Sequence, residues 1–488
     1  MAMSHVAVTE FEPVIGLEIH AQLPTETKIF CGCSTRFGAA VNTQVCPVCL
    51  GLPGTLPLLN RRVVELAMRA GLALGCTIQR HSVFARKNYF YPDLAKGYQI
   101  TQYEQPLATD GEVAYVDDDG PHRVRILRVH LEEDPAKSLH TGAGDAGRYT
   151  YLDFNRSGVP LIEIVTDPDL RSAAEAADFF ARLRGILLAV EVNDGSMEEG
   201  SLRCDANVSV RPVGQSTLGV KVEVKNLNSF RFLQRAVEYE MARQAELVRS
   251  GGRVVQETRM WDEAGARTVA MRSKEEAHDY RYFPEPDLPP VVVSDSWIAD
   301  VRSELPELPE ARKQRFIQEY GLPASDASQM AETEALARFF EETAATAGNP
   351  KAASHWVMGE VTRRLKADGA GISAVGVTPG SLGRLIRLVD TGVISASAAK
   401  DVFERMYGDG REAEDIVKAE GLAQIGDEGE LRQTVTRVIA EHGDAVATFR
   451  GGNEAALGFL VGQVMRATRG RANPKVANAL LRDALAVH

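Results

Sequence analysis

The hydrophobic pattern of this chain changes period once, and that change limits the folds open to it. Up to about residue 296 apolar and polar positions mostly alternate, as in strands with one covered face. From Trp297 onward, through ARKQRFIQEYGLP, ALARFFEETAATAGNP and ASHWVMGEVTRRLKADG, apolar residues recur near every 3.6 positions, the period of a helix with one buried stripe. Strands grouped first and helices grouped after predict an α+β fold. At 488 residues the chain exceeds one core. Three domains are expected: 1–296, mainly antiparallel β with helices; 297–410, helical; and 411–488, a helical tail. An acidic, glycine-containing stretch near Gly408 to Glu430 reads as the hinge before the tail.

In the first part, VIGLEIHAQL places Ile15, Leu17, Ile19, Ala21 and Leu23 on one face of a strand, and Glu18, His20 and Gln22 on the other. At about 3.3 Å of rise per residue, Glu18 and His20 stand roughly 7 Å apart along the chain. One cation or one phosphate can bridge them. Taken alone, an ordinary exposed face reads the same way.

CGCSTRFGAAVNTQVCPVC then carries Cys31, Cys33, Cys46 and Cys49, two close pairs separated by twelve residues. Tetrahedral zinc takes four thiolates, and paired knuckles deliver them two at a time. A pair of disulfides or four unrelated thiols are the alternatives, and a reducing compartment disfavours the disulfides. Four thiolates leave no open position, so such a zinc pins a loop rather than doing chemistry. Cys76 and Cys204 read as packed thiols.

No basic segment leading into an apolar run opens the chain, and no apolar stretch nears the roughly 18 residues of a membrane span. The expected location is the cytoplasm, with no membrane partner. A net charge of −12 argues against a protein that coats nucleic acid. It leaves room for a local basic patch, because phosphate contacts depend on where charges sit.

HSVFARKNYFYPDLAKGYQITQYEQPL interleaves Tyr and Phe with Arg86, Lys87 and Lys96. Aromatics among cations can stack bases and hold phosphates, or simply pack a strand onto a sheet. EVAYVDDDGPHRVRILRVHLEED reads as a hairpin around Asp119-Gly120, its second arm ending in His130, Glu132 and Glu133. Gly142, Gly144 and Gly147 spell a dinucleotide fingerprint, but β-rich sequence follows where a helix is required, so the match is a loop. No G-x-x-x-x-G-K-[ST] occurs. Any nucleotide site is neither Rossmann nor Walker type.

Glu163 lies between Ile162 and Ile164 in YLDFNRSGVPLIEIV. A carboxylate in such a run is costly unless paired or bound to a cation, which makes it the strongest single-residue signal in the chain. Arg203, Asp205 and Asn207 alternate on one face of a later strand, as do Lys221, Glu223 and Lys225.

VIGLEIHAQL, the Cys pairs, RKNYFYPDLAKGYQITQY, HLEED, FNRSGVPLIEIV, SMEEGSLRCDANVSVR, EVKNLNSF, RYFPEPDLPP and GQVMRATRGRANP together resemble the B-subunit family of bacterial aspartyl/glutamyl-tRNA amidotransferases, over essentially the whole chain. The resemblance implies a carbon–nitrogen ligase with glutamine as amido donor. ATP phosphorylates the side-chain carboxylate of mischarged Glu-tRNA(Gln) or Asp-tRNA(Asn), and ammonia from a glutaminase A subunit displaces the phosphate. A small C subunit completes a heterotrimer. The chemistry is reasonable, because a bare carboxylate is a poor acceptor for ammonia and two meeting anions need a cation between them. The resemblance further implies Mg²⁺ at His20, Glu133 and Glu163, with Glu18 beside them, and places Lys87 and Tyr89 near the mouth where ammonia arrives. Strand alternation puts Glu132, not Glu133, on the polar face, so both acids are carried forward. Structural Zn²⁺ is expected on the four thiols. In the tail, Arg466, Arg469, Arg471 and Lys475 are expected to touch tRNA, a solvated helix face being the plain alternative. The rival function is a zinc-stabilised, non-catalytic tRNA-binding scaffold, which would release no ADP in response to mischarged tRNA.

Overall fold

The alternation of VIGLEIHAQL becomes a twelve-residue strand, Phe11–Gln22, in the middle of a twelve-stranded sheet. The computed structural model describes residues 10–117, 120–139, 149–271, 280–424, 428–468 and 470–486. Two compact units emerge, Met1–Leu308 and Pro309–His488. The fold is α+β: a largely antiparallel sheet with helices in the first unit, helices in the second.

Strand Phe11–Gln22 pairs antiparallel with Pro160–Thr166 on one side and Leu202–Pro212 on the other. Pro160–Thr166 pairs in turn with Gly120–Glu133, the long arm of the expected hairpin, whose partner is Ala108–Asp117. Beyond it stand Tyr98–Gln102 and Phe84–Asn88. On the opposite side, Val222–Lys225 is followed by the one parallel pairing among the described strands, with Thr258–Asp262. Asp119, expected at the hairpin turn, and the glycines 142, 144 and 147 lie outside the described residues.

The apolar face of the central strand is sealed: Ile15, Leu17, Ile19 and Ala21 are at most 1% exposed. Helices Ala173–Ala189 and Phe230–Arg249 bury Phe179, Phe180, Leu183, Leu233 and Val237 in the same core. Each such side chain contributes about 1.5–3 kcal/mol against exposure. The first of these helices starts where Ser172 Oγ accepts the Glu175 amide at 3.0 Å, a side-chain cap that satisfies one orphan donor. Helix Arg61–Ala73 ends just before Gly75, where φ is +71° and an added Cβ would come within 2.9 Å of the Glu112 carbonyl oxygen.

The change of period at Trp297 precedes the unit boundary. Helix Asp295–Ser303 still belongs to the first core, which Val301 enters. In the second unit, Asn349 Oδ1 caps helix Pro350–Trp356 by accepting the Ala352 amide at 3.1 Å, with Pro350 in the first turn. Helices Pro379–Asp390 and Ala396–Asp409 flank Gly392. The unit holds two separate apolar cores, one running from Phe316 to Val417 and one from Leu431 to Leu485. The segment read as a hinge contains helix Ala413–Glu420. Among the described residues no helix is long and apolar enough to cross a membrane.

Candidate active site

Strand register assembles the polar face. Across Leu202–Pro212, Phe11–Gln22, Pro160–Thr166 and Gly120–Glu133, the residues Arg203, His20, Glu163 and His130 stand directly opposite one another. The adjacent row is Asp205, Glu18, Val165 and Arg128. Because side chains alternate, Glu132 shares the face of His130 and Arg128, while Ile162 and Ile164 point into the sealed core on either side of Glu163.

His20 Nε2 lies 3.4 Å from Glu163 Oε2, 3.6 Å from Glu132 Oε1 and 4.0 Å from Glu18 Oε1. His130 Nε2 lies 3.4 Å from the same Glu163 oxygen and 3.9 Å from Glu132. Glu132, Glu163 and His130 are buried. Burial alone would lower the His20 pKa, but its hydrogen bond to Glu163 and the charges of Glu132 and Glu163 raise it to about 9. Burial likewise disfavours ionised Glu163, yet His130 and His20 hold its carboxyl well below the usual range. Burial and the Glu163 charge push Glu18 up. Two triads, Glu18–His20–Asp205 and His20–Glu132–Glu163, bring one ligand atom per residue within 4.8 Å of one another. Two buried carboxylates meeting one imidazole nitrogen is the donor set of a divalent cation that keeps water for the rest of its shell.

Cations surround these acids. Arg128 Nη2 is 3.9 Å from Glu163, and Lys225 Nζ is 2.8 Å from Asp205. Arg203 Nη2 is 3.0 Å from Asp134. Burial would depress the Lys87 ammonium, but Glu132 and Glu163 hold it above its ordinary range. Tyr89 is near Lys87, its hydroxyl pushed up chiefly by burial.

Of the two acids expected at the metal, the structure brings Glu132 to His20 and not Glu133. Glu133 Oε2 is 2.6 Å from Lys96 Nζ, and its Oε1 accepts the Ile100 amide at 2.8 Å. The reason is the pleat: one residue along a strand turns the side chain to the other face. His130, Asp205 and Arg128 complete the polar face and were not expected as site residues. Their signal was present in the sequence as alternation, but only the pairing of four strands makes one surface of it.

Cys31, Cys33, Cys46 and Cys49 converge as well, with sulfurs within 4.8 Å of one another and no disulfide formed. Cys46 and Cys49 sulfurs are 3.9 Å apart; sulfurs bound tetrahedrally to zinc at about 2.3 Å stand about 3.8 Å apart. The Cys31 thiol, helped against burial by the Cys46 amide and Lys28, brings Cys49 down to about 4. The donor set fits zinc. In the tail, Arg466 is exposed in the last turn of Ala455–Ala467 and Lys475 is exposed at the start of Pro474–Ala486. Arg471 is half-buried between those helices, and Arg469 lies outside the described residues.

Comparison with known proteins agrees with the residues. The GatB/GatE catalytic domain matches residues 13–299, and a GatB domain matches 338–485. The B subunit of the aspartyl/glutamyl-tRNA(Asn/Gln) amidotransferase of Carboxydothermus hydrogenoformans is 53% identical over 98% of this chain and 99% of its own. That of a Thermoanaerobacter species is 54% identical, and that of Myxococcus xanthus 52%, each over 98% of this chain and 99% of the relative. This chain therefore belongs to the GatB family, and the members it resembles over nearly their full length are B subunits of aspartyl/glutamyl-tRNA(Asn/Gln) amidotransferases.

Proposed function

We propose that this chain is the subunit of a cytoplasmic, tRNA-dependent amidotransferase in which Glu-tRNA(Gln) and Asp-tRNA(Asn) are activated and amidated. The side-chain carboxylate oxygen of the aminoacyl group attacks the γ-phosphorus of ATP, the bond to ADP breaks, and an acyl phosphate forms. Ammonia then forms the C–N bond, expels inorganic phosphate and sheds a proton. The convergence of Glu132 and Glu163 on His20 carries this reading, because it supplies a buried anionic socket on an otherwise polar face.

His20, Glu132 and Glu163, with Glu18 beside them, would hold Mg²⁺, whose charge offsets the repulsion between ATP and the substrate carboxylate. Glu133, engaged by Lys96, would not. His130 orients Glu163 from the far side and keeps it ionised. Arg128 and Lys87 stand where negative charge gathers, and Lys87 with Tyr89 would line the approach of ammonia. Cys31, Cys33, Cys46 and Cys49 would hold Zn²⁺ and fix the loop over 31–49. A glutaminase A subunit and a small C subunit would supply ammonia and complete the heterotrimer. Arg466, Arg469, Arg471 and Lys475 would meet tRNA phosphates from a tail domain, 411–488, separate from the helical domain 297–410. The two apolar cores support a separate tail, although Ala413, Ile416 and Val417 belong to the first of them, which sets the division after helix Ala413–Glu420 rather than at 410.

The test is co-purification with the two partner proteins, followed by conversion of mischarged tRNA with glutamine and ATP. Amidated tRNA with matching ADP release is expected. tRNA binding without tRNA-dependent ADP release would leave only the scaffold reading.

A further inference from the structure

Four tyrosines form a continuous wall beside the acidic cluster. Tyr89 meets Tyr280 edge to face at 5.8 Å between ring centroids, and Tyr280 meets Tyr282 in the same way at 6.1 Å. Tyr282 then lies flat against Tyr103, 4.0 Å away with planes only 2° apart. At the inner end, Lys87 Nζ is 5.1 Å from the Tyr280 ring. At the outer end, Tyr103 is 48% exposed.

Register sets this wall beside the site. Thr101 pairs with Glu132, Lys87 pairs with Gln99, and Tyr103 follows two residues after Thr101. The Thr101 hydroxyl donates to Glu132 Oε2 at 3.5 Å. Tyr282 is close enough to Lys87, Glu163 and Glu132 for their charges to act on its hydroxyl. The segment that carries Tyr282 is anchored nearby: Arg86 donates to both oxygens of buried Glu285, at 2.7 and 2.9 Å. That ion pair holds the backbone three residues beyond Tyr282 in place.

A pair of parallel rings with one of them half exposed is suited to continue as a stack, and an unpaired nucleobase is the flat ring that continues it. The amino acid of any aminoacyl-tRNA is carried on the ribose of its unpaired 3′-terminal adenosine. We propose that Tyr103 and Tyr282 are the platform on which that terminal base stacks, setting the amino-acid side chain toward His20, Glu132 and Glu163. The proposal rests on the reading of this chain as acting on aminoacyl-tRNA. ATP brings a second adenine to the reaction. Small ligands are held in concave pockets that cover most of their surface, whereas Tyr103 presents an open ring, as single-strand platforms do. Exposed Arg281, between Tyr280 and Tyr282 in sequence, adds a cation of the kind that accompanies such platforms.

The experiment uses the assembled amidotransferase and a tRNA carrying 2-aminopurine in place of its 3′-terminal adenine. Stacking quenches this base, so binding to the unaltered protein quenches it and binding to Tyr103→Phe does the same. Tyr103→Ala and the bulk-preserving Tyr103→Leu lose the quench and bind tRNA roughly 5- to 150-fold more weakly, as expected for one base stacked on an aromatic ring. Their KM for ATP stays within about twofold of the unaltered enzyme. Unchanged quench and affinity in both variants overturn the proposal, and so does a raised KM for ATP with unchanged tRNA binding, which would give the platform to ATP. The readout is binding, so it stands apart from turnover. Quench without tRNA-dependent ADP release would remove the proposed function and keep the platform; ADP release without a Tyr103 effect would remove the platform alone.

Discussion

Glu163→Gln keeps the shape of the side chain and removes one charge from between two imidazoles. In the structure a single Glu163 oxygen stands 3.4 Å from both His20 and His130. At an effective dielectric near 20, two unit charges at that separation interact by roughly 5 kcal/mol. Removing one partner of a buried pair typically costs about 3–5 kcal/mol. The fold is spared part of this, because the His20 imidazole can shed its proton once the carboxylate is gone. A divalent cation has no such escape, so its binding bears the loss. At about 1.36 kcal/mol per decade, the Mg²⁺ requirement rises, or the rate falls, by roughly two to nearly four orders of magnitude. The assay is tRNA-dependent ADP release with saturating ammonium as nitrogen donor, titrated with Mg²⁺, alongside tRNA binding and a thermal melt. Near-complete loss of ADP release with tRNA binding intact is expected. A Mg²⁺ titration that overlays the unaltered enzyme would refute the reasoning.

Three further outcomes are expected. Metal analysis of the purified chain should give one zinc per molecule, and Cys31→Ser should lose it, since three thiolates leave the tetrahedron open; zinc retained at full occupancy would contradict the Cys site. Neutralising Arg466, Arg469 and Arg471 together should weaken tRNA binding and flatten its salt dependence by about two to three log units per log of salt; an unaltered slope would take the tail out of the RNA interface. His122 is held between Asp117 at 2.8 Å and Glu175 at 3.3 Å, and these carboxylates overcome burial to raise its pKa above the ordinary value. Its contribution to stability is therefore complete below about pH 6.5 and is lost as pH rises through the higher folded value. Urea unfolding across that range should show this slope and His122→Gln should remove it; identical slopes would contradict the contribution.

Much of the site was legible because a strand exposes every second residue. That rule alone selected Glu18, His20 and Gln22, and it selected Glu132 over Glu133, where the register now brings Glu132 to His20. Helix caps are local in the same way, as at Ser172 and Asn349, each of which accepts an amide three residues on. What could not be read are meetings between distant strands. Nothing in the sequence near His130 or Asp205 says that one will face Glu163 and the other Glu18. The stacking of Tyr103 on Tyr282 joins segments far apart in the chain and leaves no periodic trace in either. Period also misplaces the unit boundary, because helix Asp295–Ser303 has helical spacing yet packs into the sheet's core. The acidic stretch after Gly408 reads as a hinge by composition, although Ala413, Ile416 and Val417 give it enough apolar surface to fold as a helix against its neighbours.

The proposed function turns on a divalent cation held among His20, Glu132 and Glu163. Crystals of the assembled amidotransferase grown with Mn²⁺, which scatters anomalously where Mg²⁺ does not, test it most directly. An anomalous peak bounded by His20 Nε2 and the carboxylates of Glu132 and Glu163 is expected. A peak on Glu133 beside Lys96, or a peak away from His20 altogether, would contradict it.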